Sequence, residues 1–150
     1  MTSLGIRKPA VFATNAYNAD FAGRVAFARL STPLHAATGD RALFIGRNGA
    51  LAKPAGLEAA VLPVRFGAGL DPCAALQSAI ELAPGATIRI VHLLGQGKNE
   101  DDARDLMRRH GDVEAADVAL ASVTAAWDRT LGAIEVHTPD VAISLPCSWQ

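Results

Sequence analysis

The sequence predicts a mainly β fold, an antiparallel β-sandwich that is followed by two helices. Up to Leu94 the chain consists largely of short apolar runs, and each run stops at Gly, Pro or Asp, as strands joined by tight turns do. The character of the chain changes at Lys98, where helix-start signals and helical spacing begin. Because strands come first and helices follow, the pattern argues against alternating βαβ units.

The composition bounds the class of protein. The 150 residues suffice for one domain with a real core, half of them are apolar, and the net charge is −1. A protein that binds nucleic acid typically has an excess of basic residues, and this chain has no such excess, so nucleic acid is not predicted as a partner. No apolar run reaches the roughly 18 residues of a membrane span, and residues 1–9 lack the apolar core of a signal peptide. A cytoplasmic location without a membrane span is the expectation.

Four strands are predicted in the first half of the chain. Thr38, Gly39 and Asp40 are typical turn residues and predict a turn before the third strand. Pro63 cannot donate to a strand ladder, so it places the fourth strand at an edge or a bulge. Residues 1–9 show no periodicity and are predicted to be a tail. In order, the predicted strands cover residues 10–14, 24–30, 41–45 and 59–66.

A hairpin is predicted around Pro84 and Gly85. This pair lies between two apolar runs, residues 73–82 and 87–94, and a Pro-Gly pair in that position is typical of a reversal between strands. Ile88, Ile90 and Val91 favour the extended conformation in the second run. The sequence therefore predicts a hairpin with its turn at Pro84 and Gly85.

Two helices are predicted after Lys98. Asn99 suits an N-cap, three acidic residues occupy the first turn, and basic residues precede Gly111. The second helix is predicted over residues 113–129, and a short strand over residues 133–137. The predicted organisation is a tail, a β-sandwich portion, a helical linker with a short strand, and an atypical tail. These parts cover residues 1–9, 10–97, 98–140 and 141–150.

Most chemistry-bearing residues lack a complete motif. Gly67-x-Gly69 has neither the third glycine of a dinucleotide fingerprint nor the Lys-Ser/Thr of a phosphate loop. The four histidines are scattered, so no metal site and no cofactor are predicted. Cys73 and Cys147 form no framework, and Cys73 has the surroundings of a small buried apolar residue. No catalytic residue can be assigned.

Three residues remain as candidate carbohydrate-binding residues. Arg47 and Asn48 occupy a loop bounded by Gly46 and Gly49, where a guanidinium fork and an amide suit sugar hydroxyls. A structural clamp of that loop is the alternative reading. Asp71, before Pro72, is the third candidate, and it is typical of a turn residue that bonds the backbone, with an acid catalyst as the alternative. Trp127 is predicted to anchor the second helix by packing, with a sugar-stacking platform as the alternative.

Several segments together resemble one family, glycoside hydrolase family 94, formerly glycosyltransferase family 36. This family contains cellobiose and chitobiose phosphorylases and the C-terminal region of cyclic β-1,2-glucan synthases. The segment from Asn15 to Phe27 looks like the part that precedes the core motifs, and Trp127-Asp128, Leu131-Gly132 and Thr138-Pro139-Asp140 look like the exit from the first domain. The core motifs that match in order are FIGRNGAL (44–51), GAGLDPCAALQ (67–77), ELAPG (81–85) and LLGQG (93–97).

The resemblance implies a fold and a limited role. Members of the family begin with a β-supersandwich, similar to galactose-mutarotase-like folds, and continue through linker helices into an (α/α) barrel that holds the catalytic Asp. This chain resembles part of the supersandwich and the linker, and residues 141–150 do not resemble the helix that leads to the barrel. The resemblance therefore implies a truncated domain of a phosphorylase-type transferase, with no catalytic residue of its own. It also implies that the Gly67–Asp71 loop faces the sugar or the catalytic barrel, which makes Asp71 the third candidate carbohydrate-binding residue.

Three functions follow as alternatives. The first is a non-catalytic carbohydrate-binding and assembly domain that binds a gluco-oligosaccharide or β-glucan. Exposed strand edges predict that this domain self-associates as a homo-oligomer. The second is part of an active glycoside phosphorylase whose barrel is supplied by another chain. The third is a structural remnant without a ligand.

Overall fold

A four-stranded antiparallel sheet forms the centre of the fold. The computed structural model describes residues 2–7, 10–15, 17 and 19–133. The strand order is β1-β2-β3-β6, and every neighbouring pair is antiparallel. The sheet contains β1 (Thr2–Arg7), β2 (Ala10–Asn15), β3 (Val25–Leu30) and β6 (His92–Gly97). The predicted strands at residues 10–14 and 24–30 are confirmed, whereas the predicted tail at residues 1–9 contains β1.

A second sheet pairs β4 (Ala36–Asp40) with β5 (Pro72–Gln77), again antiparallel. Side chains alternate across a strand, so Val11 and Ala28 point to one face of the large sheet and Phe12 and Phe27 to the other. Val11 and Ala28 are buried on the face that lies towards β5. Two antiparallel sheets and a few helices confirm the prediction of a mainly β fold.

Helix α2 (Glu100–His110) covers the opposite face of the large sheet, and local signals define it. The side chain of Asn99 accepts a hydrogen bond from the amide of Asp102 at 2.9 Å, and the Asp102 carboxylate accepts one from the amide of Lys98 at 2.8 Å. Ala103 and Met107, one turn apart, are buried against the sheet. The core cluster consists of Ala10, Phe12, Val25, Phe27, Ala103 and Met107.

The close approach of β6 to α2 requires Gly97. A Cβ atom on this residue would lie 2.8 Å from the Cα of Ala103 and 2.9 Å from the carbonyl oxygen of Asn99, both of which are backbone atoms. We expect Gly97→Ala to lower the free energy of unfolding by about 1–3 kcal/mol, because the helix must move away from the strand. Urea denaturation measures this loss. Gly23→Ala is the matched control, since its Cβ would meet only the Lys98 carbonyl at 3.9 Å. Equal losses in both variants would contradict the packing argument.

The predicted turn at Thr38–Asp40 and the predicted strand at residues 41–45 are both wrong. Thr38, Gly39 and Asp40 belong to β4 and are fully buried. The strand ends where the Asp40 carboxylate accepts a hydrogen bond from the amide of Leu43 at 3.2 Å, which caps helix α1 (Arg41–Ile45). The same polar residues that suggest a turn therefore end a buried strand and begin a helix.

The predicted strand at residues 59–66 is also wrong. Residues 59–66 form no strand, and between Ala59 and Leu62 the side chain of Gln77 makes backbone hydrogen bonds of the kind that a neighbouring strand would make. Its Oε1 atom accepts from the amide of Leu62 at 2.8 Å, and its Nε2 atom donates to the carbonyls of Ala59 at 3.3 Å and Ala60 at 3.1 Å. A side chain from β5 thus fixes this segment as an irregular loop.

The predicted hairpin is wrong as a pairing, although the chain does turn there. The amide of Ala86 donates to the carbonyl of Ala83 at 3.0 Å, and Gly85 has φ of 78°, which is the geometry of a type II turn. Turns of this type splay the flanking strands, unlike their mirror images. β5 ends at Gln77 and pairs with β4, while β6 pairs with β3.

Helix α3 (Val113–Leu131) confirms the prediction of a second helix over residues 113–129. It belongs to a second compact unit that begins at Glu114 and is described by itself. Trp127, which is predicted to be a packing anchor, is 58% exposed. No helix among the described residues is long and apolar enough to cross a membrane. The strand predicted at residues 133–137, apart from its first residue, and the predicted tail at residues 141–150 lie outside the described residues.

Candidate functional site

The loop with Arg47 and Asn48 is a tight structure that follows α1. Gly46 has φ of 85° and its amide donates to the carbonyl of Ala42 at 2.9 Å, while the amide of Gly49 donates to the carbonyl of Gly46 at 3.1 Å. A Cβ atom on Gly49 would collide with the carbonyl of Ile45. Both glycines are therefore required by the backbone of the loop.

The side chains of Arg47 and Asn48 are exposed on this loop. Within residues 2–7, 10–15, 17 and 19–133, neither side chain takes part in a hydrogen bond or an ion pair. The glycines and backbone hydrogen bonds hold the loop, so these two side chains do not clamp it. Their donors and acceptors are available to a polar ligand.

Asp71 lies at the opposite end of α1 from Arg47 and Asn48. Its carbonyl accepts a hydrogen bond from the amide of Arg41 at 2.9 Å, and its Oδ2 atom lies 3.8 Å from Nη1 of Arg41. Arg41 is the first residue of the helix, and Arg47 follows its last turn. The structure thus places Asp71 beside the first residue of α1, and Arg47 and Asn48 beyond its last residue, without bringing Asp71 into contact with the other two.

A buried carboxylate fixes the loop that carries Asp71. Asp40, whose side chain is 5% exposed, lies 3.1 Å from Nη1 of Arg65 through its Oδ2 atom. The amide of Gly39 donates to the carbonyl of Arg65 at 2.9 Å. Arg65 is thereby held beside β4, and the following Gly67–Asp71 loop passes the end of that strand into β5. The predicted candidate Asp71 is consequently carried by a well-anchored backbone.

An apolar cavity of about 180 Å³ lies between the two sheets. Cys73 is on its wall; its Sγ atom lies 3.6 Å from the carbonyl of Thr38, and burial raises the pKa of the thiol. The thiol therefore remains protonated at neutral pH. None of the three candidate residues lines the cavity, and its lining offers little to a sugar. The lining residues are Val11, Ala13, Ala26, Phe27, Ala28, Pro72, Cys73, Ala74 and Leu94.

The described residues contain no group of three or more His, Cys, Asp or Glu side chains that could hold a metal ion. His137 and Cys147 lie outside this part of the chain. Sequence reasoning missed Arg41, which contacts Asp71 through both its backbone and its side chain. No local motif could have found it, since the two residues lie on separate segments that only the fold brings together.

Comparison with known proteins identifies the family. The family model of the glycosyl hydrolase 94 supersandwich domain matches residues 2–113, and the chain belongs to this family. The matched range contains both sheets, α1, α2 and all three candidate residues.

A curated relative supports this assignment. The chain is similar to the cyclic beta-(1,2)-glucan synthase NdvB of Rhizobium meliloti (strain 1021), with 31% identity over 133 residues. The similar region covers 88% of this chain but only 5% of the relative. The chain therefore corresponds to a small part of that protein, and the family resemblance predicted from the sequence motifs is confirmed.

Proposed function

We propose that this chain is a non-catalytic carbohydrate-binding domain that binds β-linked gluco-oligosaccharides through Arg47, Asn48 and Asp71. The observation that carries the proposal is the exposure of Arg47 and Asn48, without partners in the described part of the chain, on a loop of a glycosyl hydrolase 94 supersandwich domain. The name of the Rhizobium meliloti relative, a glucan synthase, is the reason to test β-1,2-linked glucans first.

The chemistry of these side chains suits a neutral sugar. Arg47 offers planar N–H donors, and the Asn48 amide offers two donors and an acceptor. Together they can donate hydrogen bonds to some sugar hydroxyls and accept them from others. Asp71 adds carboxylate acceptors that are about half exposed. Because the glycine-bounded loop is held by its own backbone hydrogen bonds, binding costs little backbone ordering.

Affinity electrophoresis in gels that contain soluble β-1,2-glucan tests this proposal. We expect the glucan to retard the wild-type chain and the double variant Arg47→Ala/Asn48→Ala to migrate as it does without glucan, because the two side chains supply most of the hydrogen bonds. Arg109→Ala is the control, since Arg109 is an exposed arginine on α2, away from the loop. Equal retardation of the double variant and the wild type would contradict the assignment of these residues.

Self-association is the second part of the proposed role. Among the described residues, β6 pairs on one side with β3 and has no strand on its other side. An open edge of this kind can pair with a strand of another copy. We expect sedimentation velocity to show a dimer or larger species at micromolar concentration. A monomer across the whole concentration range would contradict the assembly role.

The second candidate function is that this chain forms part of an active glycoside phosphorylase whose catalytic barrel is supplied by another chain. It is favoured by the word synthase in the name of the Rhizobium meliloti relative, of which the chain covers only 5%. Phosphorolysis assays with and without a separately expressed barrel chain separate the two candidates, because the second requires turnover when both chains are present. The non-catalytic proposal requires no sugar phosphate from the chain alone, and turnover by the isolated chain would overturn it.

A further inference from the structure

Arg41 and Asp71 form a side-chain pair that leaves room for a bridging group. The distance from Nη1 of Arg41 to Oδ2 of Asp71 is 3.8 Å, and the two side chains are 48% and 55% exposed. This distance is within the reach of an ion pair but too long for a direct hydrogen bond. Each partner therefore retains hydrogen-bonding capacity that is accessible from solvent.

A sugar hydroxyl has the chemistry to bridge this pair. A hydroxyl group donates one hydrogen bond and accepts others, so one hydroxyl can donate to Oδ2 of Asp71 while it accepts from Nη1 of Arg41. An anionic ligand would be repelled by the carboxylate, and a cationic ligand by the guanidinium. The pair consequently favours a neutral polyhydroxyl ligand.

The backbone beneath the pair is fixed on both sides. The amide of Arg41 donates to the carbonyl of Asp71, which ties the two segments together directly beneath the two side chains. The preceding residue, Asp40, is buried, caps α1 and binds Arg65. A binding group mounted on such a support needs little reorganisation when its ligand arrives.

We propose that Arg41 and Asp71 form a second sugar-contacting subsite, and that the site therefore binds an oligosaccharide in preference to a monosaccharide. Arg41 begins α1 and Arg47 lies just beyond it, six residues later. At the helical rise of 1.5 Å per residue, α1 itself is about 6 Å long from Arg41 to Ile45, and Arg47 lies two residues beyond its end. A ligand that contacts both ends must be longer than one sugar ring. This inference rests on the proposed function and adds Arg41 and a length requirement to it.

Calorimetric titration of the intact chain with glucose and with β-1,2-linked gluco-oligosaccharides of increasing length tests the subsite. We expect the affinity to rise with length, and Arg41→Gln to weaken binding of the longer ligands about tenfold, as the loss of one charged hydrogen bond does. Arg108→Gln is the matched control, because Arg108 pairs with Asp105 on the exposed face of α2. Arg41→Lys retains the charge without the planar fork, and we expect it to bind at an intermediate strength.

The outcomes separate this inference from the proposed function. Oligosaccharide binding that Arg41→Gln leaves unchanged, or glucose binding as tight as that of the longest ligand, would overturn the second subsite and leave the proposed function intact. The absence of binding by every sugar would overturn both. Unchanged amide spectra of the unliganded Arg41→Gln variant establish that the loss of affinity is not a loss of fold.

Discussion

Phe27→Ala is expected to lower the free energy of unfolding by about 3–5 kcal/mol. Phe27 is 3% exposed at the centre of the large sheet and belongs to the core cluster beneath α2. Its ring also lies over Gly95 on the neighbouring strand, where a Cβ atom would come within 2.6 Å of Cζ. Truncation removes the ring from this contact and leaves a void between the sheet and the helix.

Guanidinium denaturation measures this effect, with Leu94→Ala as the control. Leu94 lies on the strand next to Phe27 but is 73% exposed, so its truncation is expected to change the unfolding free energy by less than about 0.5 kcal/mol. Phe27→Leu keeps part of the apolar volume and is expected to lie between the two. A similar loss for Phe27→Ala and Leu94→Ala would show that the core is not where the structure places it.

Asp40→Ala is expected to lower the free energy of unfolding by about 2–4 kcal/mol. The substitution removes the cap of α1, worth about 1 kcal/mol, and the charged interaction of the buried Asp40 with Arg65, worth about 1–3 kcal/mol because the Arg65 side chain is 59% exposed. It also releases the support of the loop that carries Asp71. We therefore expect thermal denaturation to record a lower melting temperature and sugar titration to record weaker binding in the same variant.

Two controls separate the roles of Asp40. Asp40→Asn keeps an oxygen that can accept from the Leu43 amide but removes the charge that faces Arg65, so its loss of stability is expected to be smaller. Glu58→Gln removes the charge from the exposed Lys53–Glu58 pair, 3.1 Å apart, and is expected to cost less than about 1 kcal/mol. A loss in Glu58→Gln equal to that in Asp40→Ala would contradict the importance of burial.

The sequence predicts those elements whose signals are local. Helix α2 is of this kind, because Asn99 caps it, acidic residues fill its first turn and Gly111 follows its last residue. The strands β2 and β3 are read correctly from apolar runs, and the family from the order of several short motifs. In each case the residues that decide the structure lie within the segment itself.

The wrong predictions concern segments whose secondary structure or strand pairing depends on residues that are distant in the sequence. Thr38–Asp40 have the composition of a turn, but they form the buried end of β4. Residues 59–66 have the composition of a strand, but the side chain of Gln77 holds part of this segment as an irregular loop. The strand β6 pairs with β3 and not with β5, because the type II turn at Pro84 and Gly85 splays the intervening chain. Pairing of strands far apart in sequence is not encoded in the residues between them.

The candidate site likewise contains residues that the sequence predicts and one residue, Arg41, that only the fold brings into the site. Arg47 and Asn48 could be proposed from the sequence because two glycines mark their loop, and the structure gives the reason for both glycines. The sequence offers Asp71 only as a single residue, because its pairing with Arg41 depends on the fold, which places the two segments side by side. Hydrogen-bonding capacity can be read from residue types, but its arrangement in space requires the fold.

Sugar binding by the three candidate residues is tested most directly by titrating the isotopically labelled chain with β-1,2-linked gluco-oligosaccharides and following the amide NMR shifts. We expect saturable shifts that cluster at Arg47, Asn48 and Asp71 and leave the core of the large sheet unchanged. A folded spectrum without shifts at millimolar oligosaccharide would contradict the central claim and leave a structural domain that binds no sugar.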